Sequence, residues 1–123
     1  MNYIRTYYKL LIWFIVIGIL CFTPGSEFKS VKINIQHFDK IVHFAMFYIF
    51  GLLAQSISYN PKSVKNVILI FAFIYAGLIE LIQSYFVPMR NGDVIDFIFD
   101  LFGLLMGLIT LKFYPKFIQK KLN

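Results

Sequence analysis

Four long apolar segments separated by short breaks limit the possible folds of this 123-residue chain more than any other feature. They run over Leu10–Phe22, Ile41–Ile57, Val67–Val87 and Val94–Leu111. With its flanking Tyr, Lys and Arg residues, each segment reaches the roughly 20 residues that a helix needs to cross a bilayer. The chain is also 59% hydrophobic and only 15% charged, against about 45–50% and about 25% in soluble domains. We therefore expect an integral membrane protein, and not a soluble enzyme, a disulfide scaffold or a disordered chain.

Turn-forming residues lie between the apolar segments, at Thr23-Pro24-Gly25, Asn60-Pro61 and Pro88–Gly92. These breaks predict helices over approximately 6–23, 40–58, 65–86 and 94–113, in one domain covering 1–123. Short loops join antiparallel neighbours, so the expected fold is all-α, a transmembrane four-helix up-down bundle. No small-residue cleavage site follows the first segment, which we therefore interpret as a retained helix and not as a signal peptide.

The basic residues divide unequally between the two ends of such a bundle. Eight fall on the side of the two termini and four on the opposite side. The positive-inside rule then predicts that the N and C termini are both cytoplasmic. The carboxyl-terminal segment 112–123 carries four of the eight, and it is also a candidate contact for anionic lipid. We therefore interpret the net charge of +6 as a consequence of membrane topology. Because the basic residues flank the membrane segments, we expect no nucleic-acid partner.

All six acidic residues fall on the outward side: Glu27, Asp39, Glu80, Asp93, Asp96 and Asp100. At 1.5 Å of rise per residue, His43, Glu80 and Asp100 lie about 6–10 Å from the outer ends of three different helices. A lone charge at the centre of a membrane helix costs about 2.5–3.5 kcal/mol on insertion scales. We therefore predict that these side chains converge on a shared polar pocket that opens outward.

Helical spacing supports this convergence. Asp93, Asp96, Asp100, Gly103 and Gly107 recur at steps of three and four residues and so form one stripe on the fourth helix. Gly103 and Gly107 form the small-xxx-small pattern that lets two helices pack closely. The acids of the same stripe would then face a neighbouring helix and not lipid.

Plain structural roles compete with function for several of these residues. Asp93 is also suited to be the N-cap of the fourth helix, and Asp96 to be an acid in its first turn. Asp39 is suited to the amino-terminal end of the second helix, where the helix dipole stabilises an anion. Lys40 is suited to anchor its helix at the membrane interface as well as to contact a ligand. Glu80 resists this explanation, because it lies near the carboxyl end of its helix, where the helix dipole disfavours an anion. It needs a proton or a cation, and the available bases are Arg90, Lys40 and His43.

Several short patterns occur in a fixed order: Asp39-Lys40-x-x-His43-Phe44, Glu80-x-x-Gln83, Arg90-x-x-Asp93-x-x-Asp96 and Gly103-x-x-x-Gly107. Over residues 39–107 the chain resembles the VanZ-like family of small bacterial membrane proteins. It departs from that family at Asp100, where Asn is usual, and at Phe47, where Tyr is usual. An acid in place of an amide implies a protonated carboxyl at Asp100.

The resemblance implies a multi-pass protein of the bacterial cytoplasmic (inner) membrane with a role in the cell envelope. The founding member of the family is associated with low-level antibiotic resistance, to the glycopeptide teicoplanin. The first hypothesis is therefore an accessory protein that binds membrane lipid, a lipid-linked cell-wall precursor or a glycopeptide-related head group. Lys40 and Arg90 would contact its phosphate or carboxylate. The candidate binding residues are Asp39, Lys40, His43, Glu80, Gln83, Arg90, Asp93, Asp96 and Asp100.

Two further hypotheses stay open. One is a membrane-embedded hydrolase or transferase acting on an envelope lipid, with Glu80 or His43 as the general base. A divalent metal would also find oxygen and nitrogen ligands in this enzyme, at Asp39, His43, Glu80, Asp93 and Asp96. No cofactor is evident, however, because the sequence lacks a strict signature such as His-Glu-x-x-His. The other hypothesis is a purely structural polar cluster that fastens the helices together.

Overall fold

The structure, a computed structural model, describes residues 2–28, 37–56, 62–88 and 90–113. Within these residues the chain forms four α-helices and no strand. They are α1 (Asn2–Phe22), α2 (Phe38–Ser56), α3 (Lys62–Phe86) and α4 (Val94–Phe113). This architecture confirms the expected all-α four-helix fold.

The helices extend beyond the apolar segments that predicted them. α1 begins at Asn2 and α3 at Lys62, because polar residues continue a helix as long as no proline removes a donor. α1 ends where predicted, since Pro24 follows and Thr23 donates its hydroxyl to the Ile19 carbonyl at 2.6 Å. One turn of 3-10 helix, Gly25–Phe28, comes next and was not predicted.

Among the described residues, three helices are long and apolar enough to cross a membrane: α2, α4 and the Val64–Phe86 part of α3. The apolar part of α1, Tyr7–Phe22, is shorter. The chain is therefore a membrane protein, whereas the fourth crossing and the orientation of the termini stay predictions. The carboxyl-terminal segment beyond residue 113 lies outside the described residues.

The closest helix pair is α2 and α4, which run parallel and touch through glycine. A Cβ on Gly103 would overlap the Phe44 carbonyl oxygen, and one on Gly107 would overlap that of Tyr48. On α2, a Cβ on Gly51 would overlap the Leu104 carbonyl oxygen of α4. This approach of two backbones brings the first turns of α2 and α4, with their charged residues, side by side.

α1 and α3 complete the bundle through buried side chains and bonds to backbone carbonyls. Trp13 donates its indole N–H to the Met46 carbonyl of α2 at 2.8 Å. Tyr75 of α3 donates its hydroxyl to the Phe14 carbonyl of α1 at 3.0 Å, and the two rings stack. The buried core between the helices includes Ile17, Phe47, Ala72, Ala76, Ile79 and Leu104.

Candidate functional site

Among the described residues, six ionisable side chains come together where α2 and α4 begin and α3 ends. We call them the polar cluster: Lys40, His43, Glu80, Asp93, Asp96 and Asp100. Four of them, His43, Glu80, Asp96 and Asp100, are at least nine-tenths buried. Burial of so many ionisable groups is unusual, because each loses water that the protein has to replace.

Lys40 is the base at the centre of one half of the cluster. Its Nζ lies 2.7 Å from Asp96 Oδ1, 3.1 Å from Asp93 Oδ2 and 3.7 Å from Asp39 Oδ2. The Lys40 side chain is only 12% exposed, whereas that of Asp39 is 52% exposed. The ammonium group of Lys40 therefore forms ion pairs within the protein, and Asp39 lies at the rim.

His43 joins three helices in the other half. Its Nδ1 lies 3.0 Å from Asp100 Oδ1 on α4 and 3.6 Å from Glu80 Oε1 on α3. A histidine between two carboxylates can carry a proton between them or accept one from a bound molecule. Of the bases that the sequence offers to Glu80, His43 is thus the one that the structure brings next to it.

Glu80 is held by the connection between α3 and α4. Its Oε2 accepts a hydrogen bond from the backbone N–H of Asp93 at 2.8 Å. Gly92 makes this possible, because a Cβ there would overlap the Glu80 carbonyl oxygen and the Ser84 hydroxyl. From the sequence, Gly92 is only a turn residue, because its role in packing depends on the neighbouring helix.

Asp93 is the N-cap of α4 and also a member of the polar cluster. Its Oδ1 accepts from the Ile95 N–H at 2.9 Å, and its carbonyl accepts from the Phe97 N–H. The Ile95 N–H, together with the Lys40 ammonium, holds the pKa of the Asp93 carboxyl below its ordinary value. Asp93 thus caps α4 and also contacts Lys40 of the polar cluster.

Gln83 and Arg90, two other candidate residues, contact the carboxyl end of α1. Gln83 donates its amide N–H to the Cys21 carbonyl at 2.8 Å, and Arg90 donates to the Leu20 carbonyl at 3.3 Å. The last carbonyls of a helix lack partners within it and favour a nearby cation. Both residues therefore fasten α1 to α3 and to the connection before α4.

A groove of about 480 Å³ runs between α3 and α4 and reaches the polar cluster. Most of its wall is apolar, and two members of the cluster, Glu80 and Asp93, also line it. The apolar residues that line it include Leu78, Leu81 and Val94, which are exposed and belong to helices long and apolar enough to cross a membrane. The groove thus joins an exposed apolar surface to two acidic members of the polar cluster.

Comparison with known proteins gives one match. A family model described as VanZ/LLP1 matches residues 2–115, which is nearly the whole chain. The chain matches no curated protein and no solved structure.

Proposed function

This chain belongs to the VanZ/LLP1 family, and from that premise we propose that it binds a lipid of the bacterial cell envelope. In this proposal the polar part of the lipid contacts the polar cluster, and its hydrocarbon chain lies in the groove between α3 and α4. The protein would act in the bacterial inner membrane as an accessory protein.

The groove carries this proposal. A lipid is amphipathic, and this groove offers an apolar wall, including Ile74 and Phe97, that ends at Glu80 and Asp93. Sites for small molecules are mostly apolar, with a few polar groups that fix the orientation of the ligand. A lipid would reach this groove from the bilayer itself, because its opening lies on the exposed faces of α3 and α4.

The charges favour a particular kind of head group. Lys40 is already in contact with Asp39, Asp93 and Asp96, so its ammonium group offers little to an incoming phosphate. The carboxylates of the cluster are acceptors, which form strong hydrogen bonds with hydroxyl and ammonium donors. We therefore propose that the sugar or amine groups of a lipid head group contact the cluster, as those of a lipid-linked cell-wall precursor would.

A photoactivatable lipid with a diazirine in its acyl chain tests the proposal in the purified protein. We expect crosslinks to concentrate on residues of the groove, such as Leu78 and Phe97. Gly77→Leu should reduce these crosslinks severalfold, because Gly77 lines the groove. Gly77→Ala is the matched control, since a Cβ there would lie at an ordinary 3.8 Å from the Phe97 ring. Crosslinks spread evenly over the exposed helix faces, and equal in both variants, would contradict lipid binding in the groove.

A second candidate function is hydrolysis or group transfer on the same lipid. The observation that favours it is His43, whose Nδ1 faces Asp100 and Glu80, as a general base held by carboxylates would. Purified protein should then convert an envelope lipid, and His43→Ala should lower the rate by about 100-fold or more. Lipid binding without turnover would leave the accessory role as the function.

A further inference from the structure

We propose that His43, Glu80 and Asp96 form a binding site for one divalent metal ion. They come from α2, α3 and α4, and one ligand atom from each lies within 4.8 Å of the others. All three residues are buried. This proposal goes beyond lipid binding and does not depend on it.

Carboxylate oxygens without partners point to a missing ligand. Glu80 Oε1 and Asp100 Oδ2 are buried, and neither has a hydrogen-bond partner among the described residues. Glu80 is 8% exposed and Asp100 is fully buried, whereas buried polar atoms are nearly always paired. Glu80 Oε1 lies 3.6 Å from His43 Nδ1, so this unpartnered oxygen is directed toward the histidine of the proposed site.

The net charge of the buried members of the polar cluster favours the binding of a divalent cation. Glu80, Asp96 and Asp100 are buried carboxylic acids, whereas Lys40 is the cation that contacts this group. With all three ionised and His43 neutral, the sum of these charges is −2, which one divalent ion would balance. Asp39 and Asp93 are about half exposed, at 52% and 40%, so water screens them. Two protons would also balance this charge, and the experiment below separates the two cases.

The donor atoms indicate which metals fit. One imidazole nitrogen and two carboxylate oxygens suit zinc or manganese, since imidazole favours zinc and carboxylates favour manganese. A site with three protein ligands also leaves a coordination position for another molecule. Because Glu80 lines the groove as well, this ion would lie beside the proposed lipid site.

The test uses the full chain, purified in detergent and stripped of metal with a chelator. After dialysis against Zn²⁺ or Mn²⁺, elemental analysis of the wild type should find about one equivalent bound, and the thermal unfolding midpoint should rise with metal concentration. Glu80→Gln and Asp96→Asn should each weaken metal binding at least tenfold. Glu27→Gln removes an exposed acid outside the polar cluster and should bind like the wild type.

Two results would overturn the proposal. The first is a wild type that retains no metal and whose unfolding midpoint does not respond to it, as expected if protons balance the charge. The second is equal loss of metal binding in Glu27→Gln and Glu80→Gln, which would indicate binding to surface acids. If the variants fail to fold, Co²⁺ titrated into the wild type decides. One equivalent bound with a histidine ligand should give a visible spectrum that differs from that of aqueous Co²⁺ in the same buffer, and an unchanged aqueous spectrum would contradict the proposal. Crosslinking of the metal-free protein reports separately on lipid binding.

Discussion

The Nδ1 atom of His43 lies 3.0 Å from Oδ1 of Asp100, across the interface between the parallel helices α2 and α4. Both residues are buried, at 2% and 0% exposure. The whole of α3 separates them in the sequence. This contact fixes the register of the two helices near their first turns, as the glycine contacts do further along.

The partner of His43 can be tested by two substitutions at Asp100. Asp100→Asn keeps the shape and an acceptor oxygen for the imidazole N–H, so we expect a small change in stability. Asp100→Leu leaves the buried imidazole without that acceptor and should cost about 1–3 kcal/mol of unfolding free energy. Denaturant unfolding in detergent, followed by circular dichroism, measures both. Equal stability of the two variants would show that the bond does not hold α2 against α4.

The contact between backbones predicts that Gly107 tolerates no side chain. Gly107→Ala places a Cβ against the Tyr48 carbonyl oxygen, so α2 and α4 must separate, at a cost of about 1–3 kcal/mol or more. Gly77→Ala is the control, because its Cβ meets only the Phe97 ring at 3.8 Å. That variant should gain up to about 1 kcal/mol from helix propensity. Similar unfolding midpoints for the two variants would refute the close approach at Gly107.

The docking of α1 can be followed through Cys21, the one cysteine of the chain. Cys21 is 1% exposed, and its carbonyl accepts from the Gln83 amide. Gln83→Leu leaves this buried carbonyl without its donor, a loss of about 1–3 kcal/mol. We expect the Cys21 thiol to react faster with a maleimide, as measured by mass spectrometry. Ser84→Ala, one residue further along α3, should leave the rate unchanged.

The stability of the fold should depend on pH through Asp93. Its pKa is lowered from an ordinary value of about 3.8, first by the Ile95 N–H and then by Lys40. A lowered carboxyl pKa adds stability that is complete above pH ~3.8 and is lost as the pH falls through the lower folded-state value. Asn also caps helices well, so Asp93→Asn should keep α4 and flatten this part of the pH profile. Thermal midpoints between pH 5 and pH 2 measure the difference, and identical profiles would exclude Asp93 as the source.

The orientation of the chain is predicted from its basic residues alone. With both termini in the cytoplasm, a fluorescent protein fused after residue 123 should fluoresce, and alkaline phosphatase fused there should be inactive. Replacing Arg5 and Lys9 with Gln tests the positive-inside rule, because a fraction of the molecules should then insert in the opposite orientation. An active phosphatase fusion at the carboxyl terminus of the wild type would place the polar cluster on the cytoplasmic side.

The sequence also limited which residues could meet. Asp93, Asp96 and Asp100 share a stripe with Gly103 and Gly107 because helical geometry places such spacings on one face. Depth along a helix follows from residue number, so the similar depth of His43 and Glu80 was predictable. The partner of each side chain was not, since Arg90 was as available to Glu80 in the sequence as His43 was.

A membrane protein of four helices, with their approximate ends and the end of the bundle where the acids gather, was predictable from the residues alone. These properties follow from local apolar length, turn residues and helical period, which act within one segment of chain. The packing of α2 on α4, the ion pair of Lys40 with Asp96 and the contacts of Gln83 and Arg90 with α1 became visible in the folded chain. These contacts join residues far apart in sequence. They depend on how closely two helix backbones approach, and glycine allows a close approach only where a neighbouring helix packs against it.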